Sequence, residues 1–163
     1  MGRMTEAAML EAIDAAMEAE KDAAQFYRSA SKHTGNDRGK QMLESLAKFE
    51  DAHFRILDTL KKSMTQGGVF EGYNGTTLEE KRPEAPAKAM DKQSLETDMD
   101  ALKVAIASER SAQRHYEEMA EGATAPEIAA LFRKLAEEES LHEKVLNDQF
   151  LALSNEGFWT WGE

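Results

Sequence analysis

Two matching stretches decide the fold: Glu50-Asp51-Ala52-His53 and Glu139-Ser140-Leu141-His142. Each reads Glu-x-x-His. On a helix, positions i and i+3 share a face, so each stretch aims a carboxylate and an imidazole at one point. A further glutamate stands 30 residues ahead of each, Glu20 before Glu50 and Glu109 before Glu139. Tyrosines follow these at the same spacing, Tyr27 and Tyr116. A shift of 89 residues lays Glu20, Ala23, Tyr27, Leu46, Ala47, Glu50, His53 and Leu57 over Glu109, Ala112, Tyr116, Leu135, Ala136, Glu139, His142 and Leu146. Each half thus offers two glutamates and one histidine, and the two halves read as one metal site.

The residues around these motifs repeat with helical period. Ile13, Met17, Glu20, Ala24 and Tyr27 form one stripe in a helix expected from about Thr5 to Ser31. Thr34-Gly-Asn-Asp is turn chemistry. A second helix, about Gly39 to Met64, carries Leu43, Leu46, Glu50, His53, Leu57, Leu60 and Met64 inward. The third, about Ser94 to Glu121, carries Leu95, Leu102, Ala105, Glu109, Ala112, Tyr116 and Met119, with Gly122 just past its end. Thr124-Ala-Pro-Glu127 reads as a capping box for the fourth, which runs to about Ser154. Its stripe is Ile128, Phe132, Leu135, Glu139, His142, Leu146 and Leu153.

Between the second and third helices, residues about 65–93 hold Gly67-Gly68, Gly72, Asn74-Gly75, Pro83 and Pro86. This stretch reads as a long crossover, with a short helical turn expected near Leu78 to Lys81. A bundle helix of ~26 residues is ~39 Å long, and a connection of this length can return along it. One domain over residues 1–163 is expected, an all-α four-helix bundle with one long crossover. The short aromatic tail, Phe158-Trp-Thr-Trp161, either folds back on the bundle or packs on a partner subunit.

Composition narrows the function. A net charge of −11 leaves no basic stripe for nucleic acid. With no cysteine, disulfides, thiolate catalysis and iron–sulfur ligation are excluded. The start lacks a signal-peptide run and no stretch is apolar enough for a membrane, so a cytoplasmic location is expected.

All six candidates, Glu20, Glu50, His53, Glu109, Glu139 and His142, lie on stripes that face the core. Unpaired carboxylates there cost several kcal/mol each and repel one another. Two divalent cations balance four glutamates and leave the histidines neutral. Carboxylate bridges with one imidazole per metal suit iron, with manganese as the alternative. Tyr27 and Tyr116 read as core residues or as hydrogen-bond partners of the ligands. Glu137, Glu138 and Glu143 read as a solvated acidic face, and His33 and His115 as surface residues.

At these residues the chain resembles the ferritin-like superfamily, and within it the rubrerythrin-type di-iron domain. The resemblance implies that Glu20, Glu50, Glu109 and Glu139, with one histidine per metal, hold two irons and carry the chemistry. It implies reaction with hydrogen peroxide or dioxygen in protection against oxidative stress. Rubrerythrins proper carry one more glutamate three residues after the helix-3 ligand, where this chain has Ala112. The site is then a symmetric six-ligand one, closer in ligand count to bacterioferritin. The cysteine-ligated rubredoxin-like module is missing, so electrons are expected from a separate donor protein. A homodimer is the expected assembly. Two rival readings stay open: an iron-oxidising storage protein, and a metal-free helical binding module.

Overall fold

Three of the four helices open on a side chain that accepts a backbone N–H left free by the first turn. In the computed structural model, which describes residues 2–81 and 86–162, Thr5 Oγ1 accepts from Ala8 N–H at 3.1 Å and starts α1, Glu6–His33. Asn36 Oδ1 accepts from Gly39 N–H at 3.1 Å and starts α2, Asp37–Gln66. Asp91 Oδ1 accepts from Ser94 N–H at 2.9 Å and starts α3, Lys92–Gly122. The fourth, α4, spans Pro126–Glu156. Among the described residues these are the only regular elements, and the fold is an all-α bundle of the ferritin-like kind.

The expected capping box at α4 does not form. Its N-cap is Ala125, with no side-chain cap bond. Pro126 fixes its own φ and pushes the preceding residue to extended backbone, here φ −80 and ψ 131, so the helix starts one residue after Thr124 could cap it. Gly122 also differs from expectation. It is the last residue of α3 rather than the one beyond, and its φ is not positive. Its role is close approach: a Cβ there would lie 2.7 Å from Met4 Cγ. Met4 N–H donates to Gly122 O at 2.8 Å. No helical turn forms over Leu78 to Lys81. Pro83 lies outside the described residues.

Chain direction follows from the cross-helix bonds. Tyr27 of α1 reaches Glu109 of α3, and Tyr116 of α3 reaches Glu20 of α1, so these two helices are antiparallel. His53 meets Glu138 and Glu50 meets His142, so α2 and α4 are antiparallel too. The short turns at 34–36 and 123–125 make α1/α2 and α3/α4 antiparallel pairs, which are the broadest contacts in the bundle. It follows that α2 and α3 are parallel. The crossover must therefore return the length of the bundle, and it passes the middle on the way.

The apolar core is in two parts. One cluster holds Tyr27, Met42, Leu46, Leu102, Leu146 and Trp159. The other holds Ile13, Leu57, Leu60, Tyr116, Phe132 and Leu135. Between them lies a polar level. The tail folds back on its own bundle: Trp159 is 1% exposed, and its Nε1–H donates to buried Asp98 Oδ2 at 2.9 Å. The Thr34 hydroxyl donates to the same oxygen at 2.8 Å. The tail thus ties the α1–α2 turn to α3.

Gly39 makes this docking possible. A Cβ at that position would lie 2.6 Å from Trp159 Cε2, in a ring fixed by burial and by Asp98. Gly39→Ala is expected to lower stability by up to about 2 kcal/mol: roughly 1–3 kcal/mol of overpacking, less the ~1 kcal/mol that alanine gains over glycine in a helix. Gly35→Ala, where nothing lies near, is the control. Equal melting temperatures for the two variants would contradict the docking role.

Candidate metal centre

All six motif residues converge on the polar level between the two apolar clusters. Glu20, Glu50, His53, Glu109, Glu139 and His142 are each 3% exposed or less. Each comes from the inward stripe of its helix, one level deep, because the four helices run past one another at mid-length. Their ligand-type atoms form two groups. Glu20, Glu50, His53 and Glu139 make one, and Glu50, Glu109, Glu139 and His142 the other; within each, the atoms lie within 4.8 Å of one another. Glu50 and Glu139 belong to both.

Both imidazoles turn Nδ1 toward the acids. His53 Nδ1 lies 2.9 Å from Glu139 Oε1 and 3.3 Å from Glu20 Oε1. His142 Nδ1 lies 3.0 Å from Glu50 Oε1 and 3.6 Å from Glu109 Oε1. The two rings are nearly parallel, 17° apart, with centroids 6.1 Å apart. Each upstream glutamate is held by the tyrosine of the other half. Tyr27 O–H donates to Glu109 Oε1 at 2.5 Å, and Tyr116 O–H donates to Glu20 Oε1 at 2.5 Å. The two tyrosines therefore serve as hydrogen-bond partners of the acids, while their rings pack in the two core clusters.

The donor set fits a pair of divalent cations. Glu20 Oε2, Glu50 Oε2 and Glu109 Oε2 are buried and make no hydrogen bond, and Glu139 Oε1 has only the His53 imidazole beside it. Buried carboxylate oxygens left this way are rare and costly unless something else satisfies them. The protein alone compensates partly with protons. Burial, then repulsion from Glu50, raises Glu20 well above the usual carboxylate range. Burial, then Glu50 and Glu109, does the same to Glu139. Burial also works to raise Glu50, but Glu20, His142 and His53 beside it outweigh burial and hold it low. Burial works to lower the histidines, yet the carboxylates around them win: His53 is raised well above 6.5, and His142 to about 9.

The sequence places Glu138 on a solvated face, and the structure corrects this. It is 3% exposed and faces inward. Its Oε1 lies 3.2 Å from His53 Nε2 and accepts from the Tyr73 hydroxyl, while its Oε2 accepts from Thr76 N–H at 2.8 Å. Glu137 is exposed and Glu143 only partly covered. The signal lay in the spacing Leu135–Glu138–His142, which is itself a core stripe. Its partners come from the crossover, which has no periodicity to read. His33 and His115 are exposed, as read.

A cavity of about 220 Å³ leads to the centre between α1 and α3. Ala16, Ala19, Ala23 and Ala112 line it, with Glu20, Glu109 and Glu139 among its walls and exposed His115 among its lining residues. Small side chains at matching positions of the two halves leave this gap.

Residues 100–156 match the family model of Rubrerythrin. The match takes in most of α3 and all of α4, with Glu109, Glu139 and His142. The rubrerythrin-type, ferritin-like resemblance read from the motifs is thereby borne out. Among solved structures, the chain is similar to a hypothetical protein from Pyrococcus furiosus, at 25% identity and TM-score 0.72, over 90% of each chain. No curated protein matches it significantly. Among the described residues, no helix is long and apolar enough to cross a membrane.

The shifted groups give a pH dependence of stability. Folded His142 keeps a proton to about pH 9 that an unfolded histidine releases near 6.5. That contribution is whole below pH 6.5 and is lost as pH rises to about 9. Glu20, Glu139 and His53, also raised, act in the same direction. Glu50 and Glu138, held low, act oppositely, but their contribution is already complete above the usual carboxylate range. Chelated protein is expected to lose stability between pH 6.5 and 9, on the order of 3 kcal/mol from His142 alone. Denaturant melts in excess chelator at the two pH values measure it, and a more stable protein at pH 9 would contradict the account.

Proposed function

We propose that this cluster binds two iron ions and that the protein reduces hydrogen peroxide or dioxygen there, protecting against oxidative stress. One observation carries the reading: two four-residue ligand groups share Glu50 and Glu139, and Glu20, Glu50 and Glu109 each keep a buried oxygen without a hydrogen bond. Two ferrous ions so held would supply the two electrons that convert peroxide, with two protons, into two waters.

The side chains divide the work. Glu50 and Glu139, common to both groups, would be shared by the two ions. Glu20 and Glu109 would each serve one ion, and the tyrosine hydroxyls on their Oε1 atoms orient them. His53 and His142 offer Nδ1. The apolar clusters on either side limit water at the site, so charges there act more strongly than they would in bulk water. The cavity lined by Ala23 and Ala112 admits a small oxidant and excludes larger ones. Ala112 stands where rubrerythrins proper have another glutamate, which leaves six ligands. This chain has no cysteine, so a separate protein supplies electrons. Manganese is the alternative metal, and elemental analysis decides between the two.

The six-ligand set also suits a second reading, iron oxidation for storage. Storage needs a hollow shell of many subunits, whereas a dimer of ~36 kDa suits peroxide or dioxygen reduction. Mass in solution separates them.

Protein loaded anaerobically with Fe(II) is expected to take up two ions per chain and to consume peroxide with a matching absorbance change. Glu50→Ala or Glu139→Ala should abolish paired binding while the far-UV circular dichroism stays helical. Ala112→Leu should slow oxidation without changing the metal count. A variant lacking either shared glutamate that still binds two ions would overturn the shared-ligand assignment; no reaction with either oxidant would overturn the activity.

A further inference from the structure

The 89-residue shift relates the two halves at each of the six motif residues, but the groups behind the two imidazoles differ. Glu138 lies that same interval after Phe49. Behind His53 stands a carboxylate, 3.2 Å from Nε2, itself fixed by Tyr73 and by Thr76 N–H at 2.8 Å. His142 has no such carboxylate; the Phe49 ring packs nearly perpendicular to it, at 84° with centroids 4.2 Å apart, and also touches the His53 ring at 81° and 4.9 Å. His142 Nε2 is buried and has no hydrogen-bond partner.

The difference is built in by the crossover. Gly75, at φ +104, takes a backbone turn that other residues adopt only with strain. There a Cβ would also lie 2.9 Å from Lys134 Cε and 3.7 Å from Glu138 Oε2. The turn brings Thr76 N–H onto Glu138 and sets the Tyr73 hydroxyl on its other oxygen.

The consequence is chemical. A carboxylate on Nε2 fixes the proton there, leaves the Nδ1 lone pair facing the acids, orients the ring and makes it a stronger donor. A phenyl ring does none of this. The His142 N–H stays unsatisfied, and its ring is free to hold the other tautomer.

Resting on the dinuclear reading above, we propose that the centre is unequal by construction. The position served by His53 and Glu20 takes a divalent cation first and more tightly than the position served by His142 and Glu109. Glu138, clamped by Tyr73 and Thr76, is the positioning residue that sets the order. At low metal supply the protein therefore holds one cation, on the His53 side.

Calorimetric titration of the metal-free full chain with Co(II), followed in parallel by the visible Co(II) spectrum, tests this. Two binding events per chain are expected, with dissociation constants separated by at least ~10-fold. Glu138→Gln should weaken the tight event by ~10–100-fold and leave the weak one in place, so that the two merge. It should also change the spectrum of the first equivalent. Tyr73→Phe, on the partly exposed crossover, should shift the tight event in the same direction by less, and it serves should Glu138→Gln fail to fold. Glu138→Asp should restore part of the separation. Two events of equal affinity in the unaltered protein would overturn the proposal, as would a Glu138 variant that weakens both events alike or neither. Equal binding of two ions would leave the dinuclear reading standing; no ion bound would overturn both.

Discussion

The bundle is organised by the cost of placing carboxylates where water cannot reach them. Five glutamates and two histidines occupy one level of a core that is otherwise apolar on both sides. An isolated charge in such a place costs several kcal/mol, so each acid must be given a partner. The partners are assigned reciprocally. Each half lends its tyrosine hydroxyl to the upstream glutamate of the other and turns its imidazole toward the acids they share. Even so, one oxygen each of Glu20, Glu50 and Glu109 is left over, and this residue of unmet demand is what makes a cation pair the fitting occupant.

The same constraint explains why the core is divided. Leu57, Leu60, Phe132 and Leu135 close one end, and Leu46, Leu102, Leu146 and Trp159 close the other. Neither cluster spans the bundle, so the tail and the crossover are drawn in to finish the ends. Trp159 reaches Asp98, which would otherwise be one more buried acid without enough donors. Met4 lies on Gly122 at the opposite end. These contacts hold the helix ends while the centre is occupied by groups that repel.

Much of this was legible in the sequence because helical period and burial are local. Apolar residues three and four apart, broken at matching points by glutamate and histidine, gave four helices and the six central residues. Asp98 and Glu138 sit on the same stripes, at Leu95–Asp98–Leu102 and Leu135–Glu138–His142, but in sequence an acid among surface acids looks solvated. What decides their burial is a partner far away in the chain: Trp159 and Thr34 for one, Tyr73 and Thr76 for the other. Those partners lie in turns, the tail and the crossover, where no repeat marks a side chain as inward. The start of α4 misled for a local reason, since Thr124 and Glu127 had capping spacing but Pro126 set the boundary.

A bundle of two similar halves needs one connection that has no counterpart. The turns at 34–36 and 123–125 match each other, but only α2 and α3 are joined by a long segment. That segment crosses the middle of the bundle beside α4 and meets Glu138 there. The related position on α2, Phe49, has no second crossover to meet it. A carboxylate at Phe49 would be buried with no tyrosine hydroxyl and no loop N–H to satisfy it, whereas a phenyl ring asks for no partner. The topology thus dictates a carboxylate behind one imidazole and none behind the other. Inequality between the two sides of the centre is then the physical consequence of closing a duplicated bundle with a single strap.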